Sequence, residues 1–438
     1  TKNPVNRLET DVSLLNNNKK VTVMSCQGSN DTANCWFENV GFDSQSNTIV
    51  SYQKNQRQNG DIHPFVTSAF RHRCCMESIS DLRIQTQPLF RQCDSNNTIQ
   101  TTTFMIGIPF FPQYGHLLHH ILNLYSSFRS VVETKLKNEK EQKRNVQIIL
   151  MNTDMSVAKN ILLHPLVVLL QKMVTRHKIW SIQEFSKQRQ LSHFCFSKLH
   201  YGTSHDVNLY QQQSSLNIIR IREFSQRIHI LFGTNSFRKT TPHMHLVTRT
   251  AAKSRQISNL KDVVNVAYNV FGQKSVTVGD FSTNTTFFEQ YNYFQKIDVL
   301  CAVHGTALLN ALFLHAKAVI IHLMPYGTIG RMGTNTKNAA LIWKERTLLI
   351  LSSEDPKSSS YTTILEENGQ LIHGQRLIKL QHQLALYPDK LWENNWMDGF
   401  NFFVNVDRVQ INIKQFETIL MKSKELAEKS ENLKNQNF

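Results

Sequence analysis

Two arginines and one short turn are the residues of this sequence best suited to binding an anion. Arg249 and Arg255 follow an apolar run, and guanidinium groups pair bidentately with phosphate oxygens. The turn His304-Gly305-Thr306 also follows an apolar run and precedes leucines at helical spacing, so it would present the free N–H groups of a helix N-terminus. The pattern predicts a diphosphate site in an α/β domain. Solvated loop arginines beside an ordinary strand–turn–helix unit are the alternative.

A histidine cluster at the start of another helical pattern could supply a general base. His116, His119 and His120 lie in the segment FFPQYGHLLHHILNLY, where positions 116 and 120 share one helix face. A histidine can take a proton near neutral pH. No carboxylate lies nearby in sequence to complete a zinc site, so we expect no metal here. Ordinary polar surface histidines are the alternative.

Alternating strands and helices must position these residues. In the first half, apolar patterns predict strands at 104–111 and 146–151 and helices at 116–128 and 162–173. In the second half they predict strands at 244–247, 275–278, 299–303 and 318–323, with helices at 257–270 and after the turn at 304–306. This alternation predicts an α/β fold in both halves, with parallel sheets that carry helices on both faces.

The composition is that of a globular protein with a strong positive charge. The chain has 438 residues, 40% hydrophobic content and a formal net charge of +16, with a pI of about 9.5. Such a charge suits anionic partners, including nucleotide sugars, acidic glycans and nucleic acid. Lys and Arg are scattered rather than clustered in one arm, and zinc motifs are missing, so we expect no nucleic-acid partner.

The cysteines and glycosylation sequons favour the secretory pathway. Cys26 and Cys35 enclose a short polar stretch that we interpret as a disulfide loop, and Cys74 or Cys75 with Cys93 is a weaker second choice. Seven cysteines leave at least one unpaired within the chain, and Cys301, in an apolar strand, is the candidate for a buried free thiol. The sequons begin at Asn30, Asn96 and Asn284.

The segment from Val299 to Gly327 resembles a signature of glycosyltransferase family 61. The matching positions are His304, Gly305, Ala307, Leu308, Asn310, Phe313, Leu314, Pro325, Tyr326 and Gly327. Weaker resemblance lies at Phe288-Glu289-Gln290, at Arg249, Arg255, Ile257 and Asn259, and at Gly115-His116. The family usually has Glu where this chain has His322, and commonly has Asp where it has His120. The resemblance covers roughly residues 26–420.

The resemblance implies a GT-B-like fold, in which two Rossmann-like domains face a cleft. We expect a polar N-terminal segment with the disulfide loop at 1–60 and an acceptor-side α/β domain at 61–225. A nucleotide-sugar-binding α/β domain would follow at 226–400, and a C-terminal helix and tail at 401–438. We expect that helix to pack back on the first domain.

The resemblance also implies an inverting glycosyltransferase that moves GlcNAc or a pentose from a UDP-sugar to a glycan or a protein O-linked acceptor. His116 and His120 would be catalytic, because an inverting transferase needs a base for the acceptor hydroxyl. The donor diphosphate and nucleotide would be bound by Arg249, Arg255, His304, Gly305, Thr306 and His322. The alternative is a catalytically degenerate relative that binds glycans or nucleotides.

The remaining expectations concern cofactors and location. No Asp-x-Asp motif occurs in the chain, so we expect no required cofactor, although Mn²⁺ or Mg²⁺ could accompany the UDP-sugar. No apolar run of about 18 or more residues could span a bilayer, and the chain begins at Thr1 rather than Met. We therefore expect membrane contact only through an anchor before residue 1, and a location in the Golgi or endoplasmic reticulum lumen.

Overall fold

The structure is a computed structural model, in which the chain forms two compact units, Thr1–Asn208 and Leu209–Phe438. The described ranges are 23–27, 34–45, 48–53, 83–88, 98–106, 114–135, 146–151, 162–201, 215–233, 241–250, 254–281, 286–325, 346–352, 359–360 and 408–435. For some of these residues only the backbone is described, among them Cys26, Cys35, His116, His120 and Thr306.

The first unit is built on a nine-stranded mixed sheet. Its strands are β1 (Val23–Gln27), β2 (Asn34–Asp43), β3 (Thr48–Gln53), β4 (Arg83–Pro88), β5 (Thr98–Ile99), β6 (Thr102–Ile106), β7 (Val146–Leu150), β8 (Trp180–Ser181) and β9 (His193–Tyr201). The order is β4-β3-β2-β9-β6-β7-β8, with β1 paired to β2 and β5 paired to β9. The expected parallel pairing holds for β6 with β7 and β9 and for β7 with β8, whereas β2 runs antiparallel to β1, β3 and β9, so the sheet is mixed.

Three helices pack with the parallel part of this sheet. They are α1 (Tyr114–Lys135), α2 (Pro165–Val174) and α3 (Ile182–Arg189). α1 joins β6 to β7, as the sequence predicts, and its middle is buried on every side, because residues 121–128 are buried without a break. Local chemistry fixes where helices begin: Pro165 occupies the first turn of α2, and the Ser181 hydroxyl accepts from the Glu184 N–H at the start of α3.

The second unit contains a five-stranded parallel sheet of the doubly wound type. Its strands are β10 (Met244–Val247), β12 (Val276–Val278), β13 (Val299–Val303), β14 (Val319–Met324) and β15 (Thr347–Ser352). The order β12-β10-β13-β14-β15 corresponds to 2-1-3-4-5 in chain order. All its pairings are parallel, which confirms the sequence expectation for this half.

Four α-helices are described in this unit. They are α4 (Ser215–Phe232), α5 (Leu260–Phe271), α6 (Phe287–Phe294) and α7 (Ile413–Asn435). Strands β11 (Gln256–Ile257), β16 (Ser359–Ser360) and β17 (Arg408–Val409) form a small separate sheet. The C-terminal helix α7 buries Phe416 and Leu420 in the core of this unit, beside α5, and not on the first domain as we expected.

The connection from β13 to β14 is a 3₁₀ helix, Thr306–Phe313, and not the α-helix that the leucine spacing predicts. Runs of this length are uncommon because the hydrogen-bond geometry is poorer than in an α-helix. Arg346 supports its end: the fully buried guanidinium donates to the carbonyl oxygens of Ala311, Leu314 and His315. The bond to Leu314 satisfies a carbonyl at the end of the helix, whereas the carbonyls of Ala311 and His315 also accept from the backbone N–H groups of Leu314 and Ala318.

Candidate functional site

The carboxyl ends of β10 and β13 form the candidate site. These two strands are neighbours in the sheet, and the chain continues from β10 to the outer strand β12 before it returns to β13. The strand order therefore reverses at this point, and in open parallel sheets ligands bind at such a switch point, outside the carboxyl ends of the strands. Arg249 follows β10 and His304 follows β13, so the structure brings the two predicted halves of the anion site to one sheet edge.

The loop after β10 is held by a carboxylate from the neighbouring strand. Asp280, just beyond β12, accepts hydrogen bonds from the Thr248 hydroxyl (3.2 Å), the Arg249 backbone N–H and the Thr250 hydroxyl (3.4 Å). Arg249 and Arg255 both adopt positive φ angles, 58° and 59°, which are uncommon for residues with side chains. Such backbone conformations concentrate at functional sites, where the surrounding structure must hold them in place.

Arg249 lies directly over Gly305. Its guanidinium Nη1 occupies the space that a Cβ atom at position 305 would need, and Cζ lies 3.4 Å from that position. The Arg249 Nε also donates to the Ser254 carbonyl oxygen at 3.2 Å, which fixes the direction of the side chain. A larger residue at 305 would therefore displace the arginine from the turn after β13.

The site concentrates positive charge. Burial, followed by repulsion from Arg249, lowers the pKa of Arg255 to about 9. Burial also lowers the pKa of Arg249, although Asp280 opposes that shift. Both groups remain cationic at neutral pH, and two partly desolvated guanidiniums that repel each other would be stabilised by an anion placed between them. The arrangement is suited to a phosphate or diphosphate.

Two buried histidines lie beneath this positive charge. The Nδ1 of His304 is 2.7 Å from the Nε2 of His322, and the two ring planes are inclined by only 24° with their centroids 4.8 Å apart, so the rings meet edge to edge. Burial, His322, Arg255 and Arg249 together hold the pKa of His304 well below its usual value, and burial lowers that of His322 to about 3. His322 is fully buried, so it contacts the site through His304 and offers no surface of its own to a nucleotide.

The other residues predicted for the site are described only in part or not at all. His116 and His120 lie near the start of α1, and Thr306 begins the 3₁₀ helix, but the side chains of all three are outside the described part of the structure. The sequon asparagines Asn30, Asn96 and Asn284 are likewise outside it. The catalytic and glycosylation assignments therefore stay predictions.

The cysteines are described in part. Cys301 is a buried free thiol, which confirms the sequence expectation, and burial raises its pKa. Cys26 and Cys35 face each other in register across β1 and β2. Cys195 is disulfide-bonded, a pairing that the sequence did not suggest. Its partner lies outside the side chains that the structure describes.

The first unit contains a separate cavity of about 550 Å³. It lies where β6 and β7 begin, and its lining includes Gln147, Trp180 and Phe185. His116 and His120 follow the opposite, carboxyl end of β6, so this cavity is not where the sequence predicts the acceptor base. Within the described residues, no three potential metal ligands come together, and no helix is long and apolar enough to cross a membrane.

Asp280 is the site residue that sequence reasoning missed. It belongs to no recognised sequence motif, and it can hold the loop after β10 only because β12 lies beside β10. A signal was nevertheless present, because Gly279-Asp280 directly follows a predicted strand and the carboxyl ends of parallel strands meet at one edge. Arg346 was missed as well, since 31 residues separate it in sequence from the His315 carbonyl that it binds.

A protein-family model matches the part of the chain that contains this site. The family model described as Glycosyltransferase 61 matches residues 114–321, a stretch that includes α1, Arg249, Arg255 and the His304-Gly305 turn. The match covers 208 of the 438 residues and confirms the resemblance found in the sequence.

A curated relative is similar over part of this chain. It is a beta-1,2-xylosyltransferase, XAX1, from Oryza sativa subsp. japonica, 34% identical over 94 residues. The match covers 22% of this chain and 16% of the relative, so the chain aligns with only a small part of that protein.

Proposed function

We propose that this protein is an inverting glycosyltransferase that transfers a sugar, GlcNAc or a pentose, from a UDP-sugar to a glycan or a protein O-linked acceptor. The family match and the similarity to a xylosyltransferase support the reaction class. The observation that carries the proposal is the Arg249 guanidinium packed over Gly305 at the switch point of a parallel sheet. This is a place where doubly wound folds bind nucleotides.

In the proposed reaction the second unit binds the donor. Arg249 and Arg255 pair with the diphosphate oxygens, and the first N–H groups of the Thr306–Phe313 helix point at the same anion. As the bond from the sugar to the diphosphate breaks, negative charge grows on the leaving oxygen. Preorganised positive groups lower the barrier because they stabilise this charge as it develops.

The first unit would supply the base and the acceptor side. His116 and His120 are one helical turn apart on α1, so both lie on the same face. One of them would take the acceptor hydroxyl proton while the oxygen attacks the anomeric carbon from the side opposite the diphosphate, which inverts its configuration. This proposal includes a GT-B-like arrangement of the two units about a cleft, in which donor and acceptor meet.

We also propose that the protein works in the lumen of the secretory pathway. The disulfide at Cys195 supports this location, because disulfides persist in oxidising compartments. A required metal is not part of the proposal, although Mn²⁺ or Mg²⁺ could accompany the UDP-sugar. Titrations with and without Mn²⁺ decide that point.

The test has a binding step and a turnover step. Calorimetry with UDP measures the donor site, and release of UDP from UDP-GlcNAc, UDP-xylose and UDP-arabinose in the presence of glycan acceptors measures transfer. Binding with transfer supports the proposal. Binding without transfer favours the second candidate, a degenerate relative that binds nucleotides or glycans, which His120 and His322 suggest because the family usually has carboxylates at these positions. Absence of UDP binding would remove the transferase and leave a degenerate relative that binds glycans.

A further inference from the structure

One hydrogen lies between the rings of His304 and His322, and the surroundings of the two rings determine which nitrogen carries it. The two ring nitrogens, Nδ1 of His304 and Nε2 of His322, are 2.7 Å apart. The exposed fractions of the two residues are 3% and 0%. The charged and titratable groups that act on His304 are Arg249 and Arg255, from the segment after β10, and His322, from β14. All of them disfavour a cationic His304.

Since both rings are neutral, one nitrogen of the pair donates and the other accepts. The remaining nitrogen of His322, Nδ1, is buried and has no hydrogen-bond partner in the described part of the structure. If His304 were the donor, the hydrogen of His322 would sit on this Nδ1 as a buried N–H without an acceptor, and such groups are rare in folded proteins. The hydrogen of His322 is therefore on Nε2, where it is donated to His304.

This direction fixes the chemistry of His304. A neutral imidazole that accepts at Nδ1 carries its own hydrogen on Nε2 and is a donor there. A phosphate oxygen at neutral pH accepts hydrogen bonds, so a neutral His304 can contribute to an anion site only in this tautomer. The histidine at 322 permits it because histidine, unlike a carboxylate, can donate.

We propose that His322 is a positioning residue, whose hydrogen bond to Nδ1 of His304 holds that ring as the neutral Nε2–H tautomer beside the two arginines that would bind the diphosphate of the nucleotide sugar. The direction of the bond follows from the buried pair itself, whereas the identity of the anion rests on the proposed function. A carboxylate at 322 could only accept, so it would place a hydrogen on Nδ1 of His304, and His304 could then keep a hydrogen on Nε2 only as a cation.

The first test reads the tautomer directly in the ligand-free protein. Histidine labelled with ¹⁵N distinguishes bare from protonated ring nitrogens by chemical shift, and the His304 signals are assigned by their loss in His304→Gln. We expect Nδ1 of His304 to be bare and Nε2 to be protonated at pH 7. A hydrogen on Nδ1, alone or together with one on Nε2, would overturn the proposal.

The second test uses three substitutions at 322. His322→Gln keeps a donor and should keep the His304 tautomer, with UDP affinity within about three-fold of wild type. His322→Leu removes one neutral hydrogen bond and should weaken UDP binding by roughly three- to ten-fold. His322→Glu should place a hydrogen on Nδ1 of His304 at neutral pH, because a carboxylate there can only accept. Equal UDP affinity in the Gln and Leu variants, or a bare Nδ1 of His304 in the Glu variant, would count against the role.

His229 offers a matched control on α4. It is buried, burial lowers its pKa to about 4, and its Nδ1 is paired with the Tyr291 hydroxyl at 2.5 Å. His229→Gln should leave the His304 signals and UDP affinity unchanged. If wild type shows the expected tautomer but binds no UDP, the proposed function and the anion role of the pair both fail, while the direction of the hydrogen bond stands. The opposite result, UDP binding with the wrong tautomer, removes only the inference.

Discussion

The Arg249 guanidinium fills the place where a side chain of Gly305 would begin, at the carboxyl edge of the second sheet. The two residues are 56 positions apart in the printed sequence and meet because β10 and β13 pair in parallel register. The contact joins the two predicted halves of the anion site, and it also makes that site sensitive to one methyl group.

Gly305→Ala should abolish most nucleotide binding without unfolding the protein. The Gly305 backbone is extended, which alanine adopts without strain, so the added methyl group displaces the flexible end of Arg249. Losing a charge-assisted bond costs about 1.5–3 kcal/mol, which corresponds to roughly ten- to a hundred-fold in UDP affinity. Calorimetry measures the affinity and thermal unfolding measures the stability.

A substitution at Gly272 serves as the control, because it should change the stability of the protein and not its affinity for UDP. It follows α5 with a φ of 84° and has no atom near a built Cβ, so Gly272→Ala is strained without crowding. It should cost about 1 kcal/mol of stability or more and leave UDP affinity unchanged. Wild-type affinity in Gly305→Ala would show that Arg249 is not positioned by this contact.

Arg255→Met should weaken UDP binding by roughly ten-fold or more and raise the melting temperature of the ligand-free protein. Its pKa is lowered to about 9 by burial and by Arg249, so the folded state holds this proton less tightly than the unfolded state does. Charged Arg255 therefore costs stability at neutral pH, and the cost is relieved only as pH rises above about 9. Replacement by an apolar residue of similar size removes it.

Arg346→Met is the matched comparison for that prediction. Burial lowers the pKa of Arg346 to about 9 as well, but its guanidinium donates to three backbone carbonyl groups. Removing it takes away three charge-assisted hydrogen bonds, one of them to the buried Leu314 carbonyl, and should destabilise the protein by about 3 kcal/mol or more. If both arginine variants shift the melting temperature in the same direction, the proposed difference between a binding and a structural arginine is wrong.

Acid should destabilise the second unit through its buried histidines. Burial lowers the pKa of His245 to about 4, while a histidine in the unfolded chain has a pKa near 6.5. The unfolded state binds the proton first as pH falls, so stability is complete above about pH 6.5 and is lost progressively down to about pH 4. Each such histidine contributes up to about 1.4 kcal/mol per pH unit in that window.

Urea unfolding of wild type and His245→Asn at pH 7, 6 and 5 measures this effect. The variant loses hydrogen bonds to Thr277 and Tyr293, so it should be less stable at pH 7. It should also lose less stability between pH 7 and 5, because it lacks one titrating group. Parallel stability curves for the two proteins would contradict the prediction.

Non-reducing peptide mapping should find Cys26 joined to Cys35. The two residues are directly opposite across an antiparallel strand pair, which places their backbones within reach of a disulfide. Cys195 is also disulfide-bonded, so its partner should be Cys74, Cys75 or Cys93, while Cys301 should react with thiol reagents only after unfolding. A peptide joining Cys195 to Cys26 or Cys35 would refute this assignment.

His116→Ala or His120→Ala should lower the turnover rate and leave UDP affinity unchanged, because the predicted base acts on the acceptor and not on the donor. General-base catalysis typically contributes a factor of about 10²–10⁴, so the loss in kcat should be at least a hundred-fold in one variant. His177→Ala, at an exposed histidine of the same unit, is the control. Full turnover in both α1 variants would place the base elsewhere.

The sequence by itself determined the elements and the local chemistry of the site. Short apolar runs gave β10, β13 and β14 within a residue of their observed ends, because a strand buried on both faces of a parallel sheet must be apolar throughout. The sequence also indicated the turn at His304-Gly305 and the two arginines as an anion site, because few residue types are suited to binding anions.

Only the tertiary structure decided which of these residues meet. Strand order is set by packing between distant segments, so neither Asp280 beneath the Arg249 loop nor the bond between His304 and His322 can be read from local spacing. The same reason explains the errors. β2 joins the first sheet antiparallel, and residues 306–313 form a 3₁₀ helix that is supported at its end by the distant Arg346, a contact that local propensity does not include.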